Sequence, residues 1–350
     1  MPAVLELDGS YGEGGGQLLR SAVALSCLTG RPIRVFNIRG RRPKPGLQPQ
    51  HMTALKAAAE VSGAFVEGLS IGSMQIYFEP KEVLGGKYTF DIKTAGSVTL
   101  VMQTLLPILS FAKRPSEVTV IGGTDVPWSP TVDYFKYVAL DAFRRMGLDC
   151  SLELLRRGHY PRGGGRVVLG VRPARTLLPM TAVKRGKAVA VRGISHCTNL
   201  PAHVASRQAS SAVRIIKDAG MEDVRVAEER GEGDGPGSGI ALWAEIEDGP
   251  NIGADVLGAK EKRAEEVGRE AAEKLLAELK TGMAVDRHLG DMLIIYVAMA
   301  KGRSEIGVTE LTMHAETMIW LTERFLGVKW SVVKGPGGSA TLGVEGAGIY

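Results

Sequence analysis

The chain has 350 residues, 44% of them hydrophobic and 23% charged, with a net charge of +5. That length can bury a full core in one large domain or two smaller ones, and no run of about 18 apolar residues offers a membrane helix. Three widely spaced cysteines, Cys27, Cys150 and Cys197, make neither a disulfide framework nor a C-x-x-C zinc pattern.

From Met1 to Asp8 the chain runs straight into a strand pattern and lacks the basic and apolar regions of a signal peptide. The cytoplasm is the expected compartment. Only three Asn and six Gln occur, a depletion of thermolabile amides that hints at a thermophilic source.

Gly12-Glu13-Gly14-Gly15-Gly16-Gln17 follows the first strand, and a second glycine triplet closes Arg157-Gly158-His159-Tyr160-Pro161-Arg162-Gly163-Gly164-Gly165. Glycines beside arginines let main-chain N–H groups approach a phosphate that a Cβ would hold off. Either loop alone is equally a hairpin corner; two in one chain suggest main-chain phosphate handling. Glu13 has little packing use among glycines and reads as a carboxylate for the Mg²⁺ of a triphosphate. Arg20, on the Gln17 face of the first helix, reaches the same phosphate or stands on the surface.

Arg31, Arg34, Arg39, Arg41, Arg42 and Lys44 crowd one region without an acidic residue, which favours a polyanion partner. Arg39 and Arg42 precede the rigid turn Lys44-Pro45-Gly46 and are placed to hold an extended anion or to be solvated.

A unit of helix, strand, helix and strand recurs three times. Its first helices are Gln17 to Leu28, Ser97 to Phe111 and Leu289 to Ala300. The strands after them are Ile33 to Ile38, Glu117 to Ile121 and Glu305 to Thr309. Each second helix ends at a capping glycine, Gly63, Gly147 or Gly327, before strands Ala64 to Leu69, Leu148 to Leu155 and Val328 to Val333. This alternation predicts an α/β (α+β) protein with three two-helix units on small sheets. Lys184 to Lys280 does not fit the repeat and carries its own periodicity. It predicts a small α/β inserted domain, 184–280, within a large repeat domain, 1–183 and 281–350. Its stretch Gly231 to Gly239 reads as a long loop, mobile or shaped to a ligand.

Counting back thirteen from each capping glycine gives Gln50, Tyr134 and His314, predicted to open equivalent helices. At a helix N-terminus the dipole disfavours imidazolium and attracts phosphate, so His314 is a candidate phosphoryl nucleophile or a capping residue. Asp291 sits just inside another helix, orienting a nucleotide or imidazole, or serving the first turn. Gln103, mid-helix in an apolar run, requires a core or ligand partner.

Taken together these residues resemble the RNA 3′-terminal phosphate cyclases. The resemblance runs through Leu7-Asp8-Gly9, the Gly12–Gln17 loop, Leu19-Arg20-Ser21, Lys44-Pro45-Gly46-Leu47, Gln50-His51, Ala95-Gly96-Ser97 and Gly122-Gly123-Thr124-Asp125. Arg157 to Gly165 is similar to the family's signature loop. It implies three units of two helices on a four-stranded sheet, plus an inserted domain. It also implies ATP-dependent conversion of an RNA 3′-phosphate to a 2′,3′-cyclic phosphodiester through a histidyl-AMP intermediate, releasing AMP and pyrophosphate. The implied cofactors are ATP and Mg²⁺ or Mn²⁺, and the partners are RNA 3′-phosphate ends, with no membrane; a homo-oligomer is compatible.

By motif position, His314 is then the adenylated nucleophile and Glu13 the metal-proximal carboxylate. Gln103, His288, Leu289, Gly290, Asp291, Met292, Gly14 and Gly15 fall at ATP-binding positions. Arg20, Arg39, Arg42, Gln50 and His51 fall at phosphate or RNA positions. The family's corresponding segment often begins with Tyr and ends with Gln, where this chain has His288 and Met292. Two alternatives are a cyclase-like ribosome-assembly protein, whose members lack the histidine, and an enolpyruvyl transferase, whose repeated units look similar.

Overall fold

Four strands and two helices form each unit of the body, and the three units share one strand order. The structure, a computed structural model, describes residues 3–349; Met1 and Pro2 of the expected opening strand lie outside the described residues. Unit one is β1 (Leu5–Asp8), α1 (Gly16–Thr29), β2 (Ile33–Phe36), α2 (Pro49–Ser62), β3 (Phe65–Glu67) and β4 (Ile76–Glu79), with sheet order β1-β2-β4-β3. Unit two is β5 (Lys87–Asp91), α3 (Val98–Leu109), β6 (Ser116–Gly122), then α4 (Val132–Tyr134) running through a π-helical turn, Phe135–Ala139, into α5 (Leu140–Arg145). It closes with β7 (Asp149–Arg156) and β8 (Gly165–Arg172), in the order β5-β6-β8-β7.

Unit three opens with the two-residue β9 (Thr181–Ala182) and is then interrupted. The interruption holds β10 (Ala188–Thr198), α6 (His203–Asp218), β11 (Val224–Gly231), β12 (Gly237–Ile246), β13 (Ile252–Leu257) and α7 (Ala264–Lys280), with its own sheet β11-β10-β12-β13. Unit three resumes as α8 (Arg287–Met299), β14 (Lys301–Val308), α9 (Met313–Leu326), β15 (Trp330–Lys334) and β16 (Ala340–Ala347), and its sheet reads β9-β14-β16-β15. In every unit the first two strands pair parallel across a helix, and the last two pair antiparallel.

The α/β class follows from these elements. Gly63 and Gly327 cap α2 and α9 in the left-handed conformation, with φ of 58° and 68°. The count of thirteen shifts in unit two. Thr131 caps α4 through the Tyr134 N–H, as Thr312 caps α9 through the Ala315 N–H, so Tyr134 matches Ala315. Asp133 is therefore the counterpart of His314. The π-helical turn adds the extra residue before Gly147, because its hydrogen bonds span five residues instead of four.

Strand pairing shortens the expected 231–239 loop. β11 extends to Gly231 beside Thr198, and β12 starts at Gly237, also beside Thr198. The side chain of Asn199 accepts from the Gly233 N–H at 3.1 Å and donates to its carbonyl at 2.7 Å.

Helix α3 is apolar nearly all round and packs against both α1 and α2, while α1 also meets α9. A helix buried on every side needs such neighbours. The helices of all three units thus converge on one core. A second core lies between the sheet and helices of residues 191–279. The seam between the two includes Trp243 of β12, which stacks on Tyr137 at 4.3 Å. No helix among the described residues is long and apolar enough to cross a membrane.

Asp286 ties three of these parts together. One carboxylate oxygen accepts from the Tyr134 hydroxyl at 2.5 Å and from the N–H groups of His288 and Leu289 at 3.1 and 3.0 Å; the other accepts from Gly253 of β13 at 3.0 Å. Replacing it with Ala leaves four buried donors unpartnered. Asp286→Ala is expected to lower stability by about 3–5 kcal/mol and Tyr134→Phe by about 1–2 kcal/mol. Denaturant titration of the two variants checks the ranking; equal losses would contradict it.

Candidate active site

A cavity of about 630 Å³ opens where the helix N-termini of the three units face one another. The turn before α1 supplies Glu13 and Gly15, and α1 itself supplies Gly16, Gln17 and Arg20. Arg39 and Arg42 come from the β2–α2 connection, Gln50 and His51 from α2, and Leu100 and Gln103 from α3. Trp128, Ser129 and Pro130 come from the approach to α4, Tyr134 from α4 itself, and Asp255 from β13. His288, Asp291 and Met292 come from α8, and His314 from α9.

Glu13 reaches this wall because Tyr11 stacks on Trp320 of α9 at 4.1 Å, holding the glycine loop against that helix. Its carboxylate pairs with Arg42 and, at 2.7 Å, with His314 Nε2. The contact puts the proton of a neutral imidazole on Nε2 and leaves the lone pair on Nδ1; attack through Nε2 requires Glu13 to let go. His314 is the second residue of α9. Burial, with Arg20, Arg42 and His288 adding to it, pulls its pKa below the ordinary value against the opposing pull of Glu13. The shift favours the neutral ring, the form a nucleophile requires.

Arg20 is 8% exposed and has no ion-pair or hydrogen-bond partner among the described residues; burial lowers its pKa to about 10. A buried guanidinium without a counter-charge is costly unless an anion arrives. Gln17 Oε1 is likewise buried without a partner, and Gln103 makes no side-chain hydrogen bond among the described residues. Burial and the nearby Arg20 and Arg39 hold His51 neutral, with its pKa down to about 3. Its Nδ1 accepts from the Gln48 N–H at 3.3 Å. A Cβ at Gly16 would stand 2.0 Å from His51 Nε2, so only glycine lets the loop and α2 meet there.

A family model described as RNA 3′-terminal phosphate cyclase matches residues 11–332. The chain belongs to that family. The protein named RNA 3′-terminal phosphate cyclase in Staphylothermus marinus is 51% identical over 353 residues, covering 99% of this chain and 99% of its own length. Relatives of the same name are 48% identical in Pyrobaculum aerophilum, over 98% of this chain and 99% of theirs, and 51% identical in Methanopyrus kandleri, over 99% and 100%. Family membership makes the chain an enzyme of the cyclase class. The relatives come from thermophiles, in keeping with the amide-poor composition. Among solved structures, the enolpyruvyl transferase NikO from Streptomyces tendae aligns at a TM-score of 0.38 and 12% identity. The alignment covers 99% of this chain and 49% of that one, too weak a likeness to carry an argument.

Against the residues expected for such a cyclase, the cavity brings together His314, Glu13, Gly15, Gln103, His288, Asp291, Met292, Arg20, Arg39, Arg42, Gln50 and His51. Three stand outside the lining. Gly14 is turned away beside Ser10, Leu289 is wholly buried, and Gly290 packs against Val308. The helix period explains the last two: on α8 only His288, Asp291 and Met292 share the cavity face. Of the basic cluster, Arg31 donates to the Arg324 carbonyl and Arg34 pairs with Glu6, both away from the cavity.

The second glycine loop is elsewhere too. Arg157 Nη2 lies in an ion pair with Asp133 at 2.8 Å and donates to Glu229 at 2.7 Å, Arg157 Nη1 meets Asp125 at 3.3 Å, and His159 Nε2 bonds Thr198 at 3.0 Å. Glu229 and Thr198 belong to the 188–257 sheet. The loop therefore seals the seam between sheets: Gly158, Gly163 and Gly165 meet protein backbone, and Gly164 meets the Asp234 carboxylate. Trp128, Pro130 and Asp255 were not foreseen. Trp128 had a signal, an aromatic inside a Pro-Trp-Ser-Pro turn, whereas Asp255 reaches the cavity only through tertiary contact.

Burial raises Asp291 from 3.8 to about 7, with Asp286, Glu13 and Glu310 adding repulsion and the Thr312 hydroxyl opposing through a hydrogen bond. A raised carboxyl favours folding while protonated, so its contribution is complete below about pH 4 and is lost as pH rises through about 7. Asp291→Asn, which keeps the neutral form, is expected to raise Tm by a few degrees at pH 8 and by nothing near pH 4. Thermal melts across that range check it; a pH-independent difference would contradict the assignment.

Proposed function

We propose that this cavity converts a 3′-terminal RNA phosphate into a 2′,3′-cyclic phosphodiester by way of AMP carried on His314. The observation that carries the reading is the His314 imidazole at the start of α9, 2.7 Å from Glu13 in a cavity it shares with Arg20 and Arg42. In the first step the free imidazole nitrogen attacks the α-phosphorus of ATP. An N–P bond forms, the bridging P–O bond breaks and pyrophosphate leaves. Next, an oxygen of the RNA 3′-phosphate takes the AMP and the imidazole departs with its lone pair. The neighbouring 2′-hydroxyl then attacks the phosphorus of the RNA 3′-phosphate and gives its proton to solvent; the P–O bond from that phosphorus to AMP breaks, and AMP leaves. Because the hydroxyl is already adjacent, proximity supplies much of the rate.

The residues present fit a triphosphate: the unpartnered buried Arg20 and the Gly15–Gly16 turn at the N-terminus of α1 offer donors to an anion, while the orphaned Gln17 Oε1, an acceptor, suits a hydroxyl or N–H donor of the ligand. Arg39 and Arg42 offset charge at the phosphates. Glu13 suits a Mg²⁺ or Mn²⁺ ion shared with phosphate oxygens; bound there, the ion would polarise the phosphorus and neutralise the leaving group. His288, Met292 and Gln103 are the proposed nucleoside contacts. Gln50 and His51 are proposed on the RNA phosphate side. We further propose that 184–280 acts as an inserted domain within a repeat body of 1–183 and 281–350, since residues 191–279 carry a separate core, and that the protein works in the cytoplasm.

Incubation with ATP labelled at the α-phosphate and Mg²⁺, followed by a denaturing gel, tests the mechanism. Wild type is expected to carry acid-labile label that 3′-phosphorylated RNA discharges, and His314→Ala to carry none. Unlabelled but folded wild type would overturn nucleotidyl transfer and favour RNA binding without catalysis.

A further inference from the structure

Trp128 lies on the turn between β6 and α4, and its indole is 97% exposed. Leaving so large an apolar surface in water forfeits the stabilisation its burial would bring. The main chain is unfavourable as well. Trp128 has φ of +61° and directly follows Pro127, the place in a tight turn where glycine is preferred because Cβ crowds the backbone. Nothing inside the fold gains from either arrangement. Local strain of this kind collects at ligand contacts.

The ring also stands in a particular place. It lines the cavity that holds Arg20, Arg39, Arg42 and His314. Those arginines suit phosphates but offer no exposed apolar face for a base, and the neighbouring aromatic Tyr134 is buried, its hydroxyl occupied by Asp286. A ring in solvent at the cavity wall meets the part of a substrate that continues outward, which for an RNA is the end of the chain. A nucleotide held whole within the cavity would call for enclosed faces.

We propose that Trp128 is the stacking platform for the base of the 3′-terminal RNA nucleotide, holding that end while its phosphate reaches the arginines. This rests on the RNA cyclase reading above. Every base has a π-face, so the platform is expected to be tolerant of sequence.

The test is fluorescence anisotropy of a 5′-labelled oligoribonucleotide ending in a 3′-phosphate, against the same oligomer made abasic at its last nucleotide. No ATP is added, so the measurement needs no turnover. Wild type is expected to bind the abasic end about tenfold more weakly. Trp128→Ala is expected to bind both alike, at the abasic level, and Trp128→Phe to recover most of the difference. Trp128→Gly relieves the positive φ and is expected to melt no lower than wild type, which separates lost stacking from lost folding. A Trp128→Ala protein that keeps the wild-type preference would overturn the proposal. So would a variant impaired in labelling by ATP with RNA binding intact, which would place the ring on adenine. Failure of His314 labelling beside an intact abasic penalty would sink the adenylation reading alone.

Discussion

Asp286 is buried beyond solvent, and its carboxylate accepts four hydrogen bonds from three separate parts of the chain. Through Tyr134 it holds unit two, through Gly253 the sheet of residues 188–257, and through its own N–H partners the start of α8. A carboxylate in this position is costly to desolvate, and only a full set of donors offsets that cost. Because all four must be present together, the arrangement admits one relative placement of those parts. His288 and Asp291 sit within two turns of this anchor, so the wall of the cavity that α8 provides is set by it.

The cavity is electrostatically unfinished. Arg20 has no counter-charge, Gln17 lacks a partner, and Glu13 is shared between Arg42 and His314. Arg157 differs: it faces Asp125, Asp133 and Glu229, with burial opposed by all three carboxylates. The contrast between the two arginines is physical. A complete set of partners makes Arg157 structural; their lack leaves Arg20 with a standing attraction for anions. Asp291 adds to this, since burial lifts its pKa to about 7, so it is only partly ionised at that pH and repels a phosphate chain less than an ordinary carboxylate would.

The seam explains why a loop rich in glycine and arginine need not touch a phosphate. Gly158 sits where a Cβ would fall 2.2 Å from the Gly165 nitrogen and 2.5 Å from the Gly122 carbonyl. The same small residues that could admit an anion here admit neighbouring strands. Composition alone does not distinguish the two uses, because both need a close approach to the backbone.

Local rules made much of the protein legible from residues alone. The threefold repeat showed in the helix period and in the capping glycines Gly63 and Gly327, because a left-handed cap is a property of one residue and its neighbours. His314 was found by the same count. The count missed by one in unit two, since a π-helical turn is set by packing and leaves no periodic trace. Strands β4, β8 and β16 escaped notice although each pairs with the strand just before it as well as with a more distant one. Which arginine was paired, that Gly14, Leu289 and Gly290 face away, and that Asp255 and Trp128 join the wall were likewise decided only in three dimensions. Residue type and spacing determine what a short segment can form; burial, charge pairing and access to a cavity depend on segments a hundred or more residues apart.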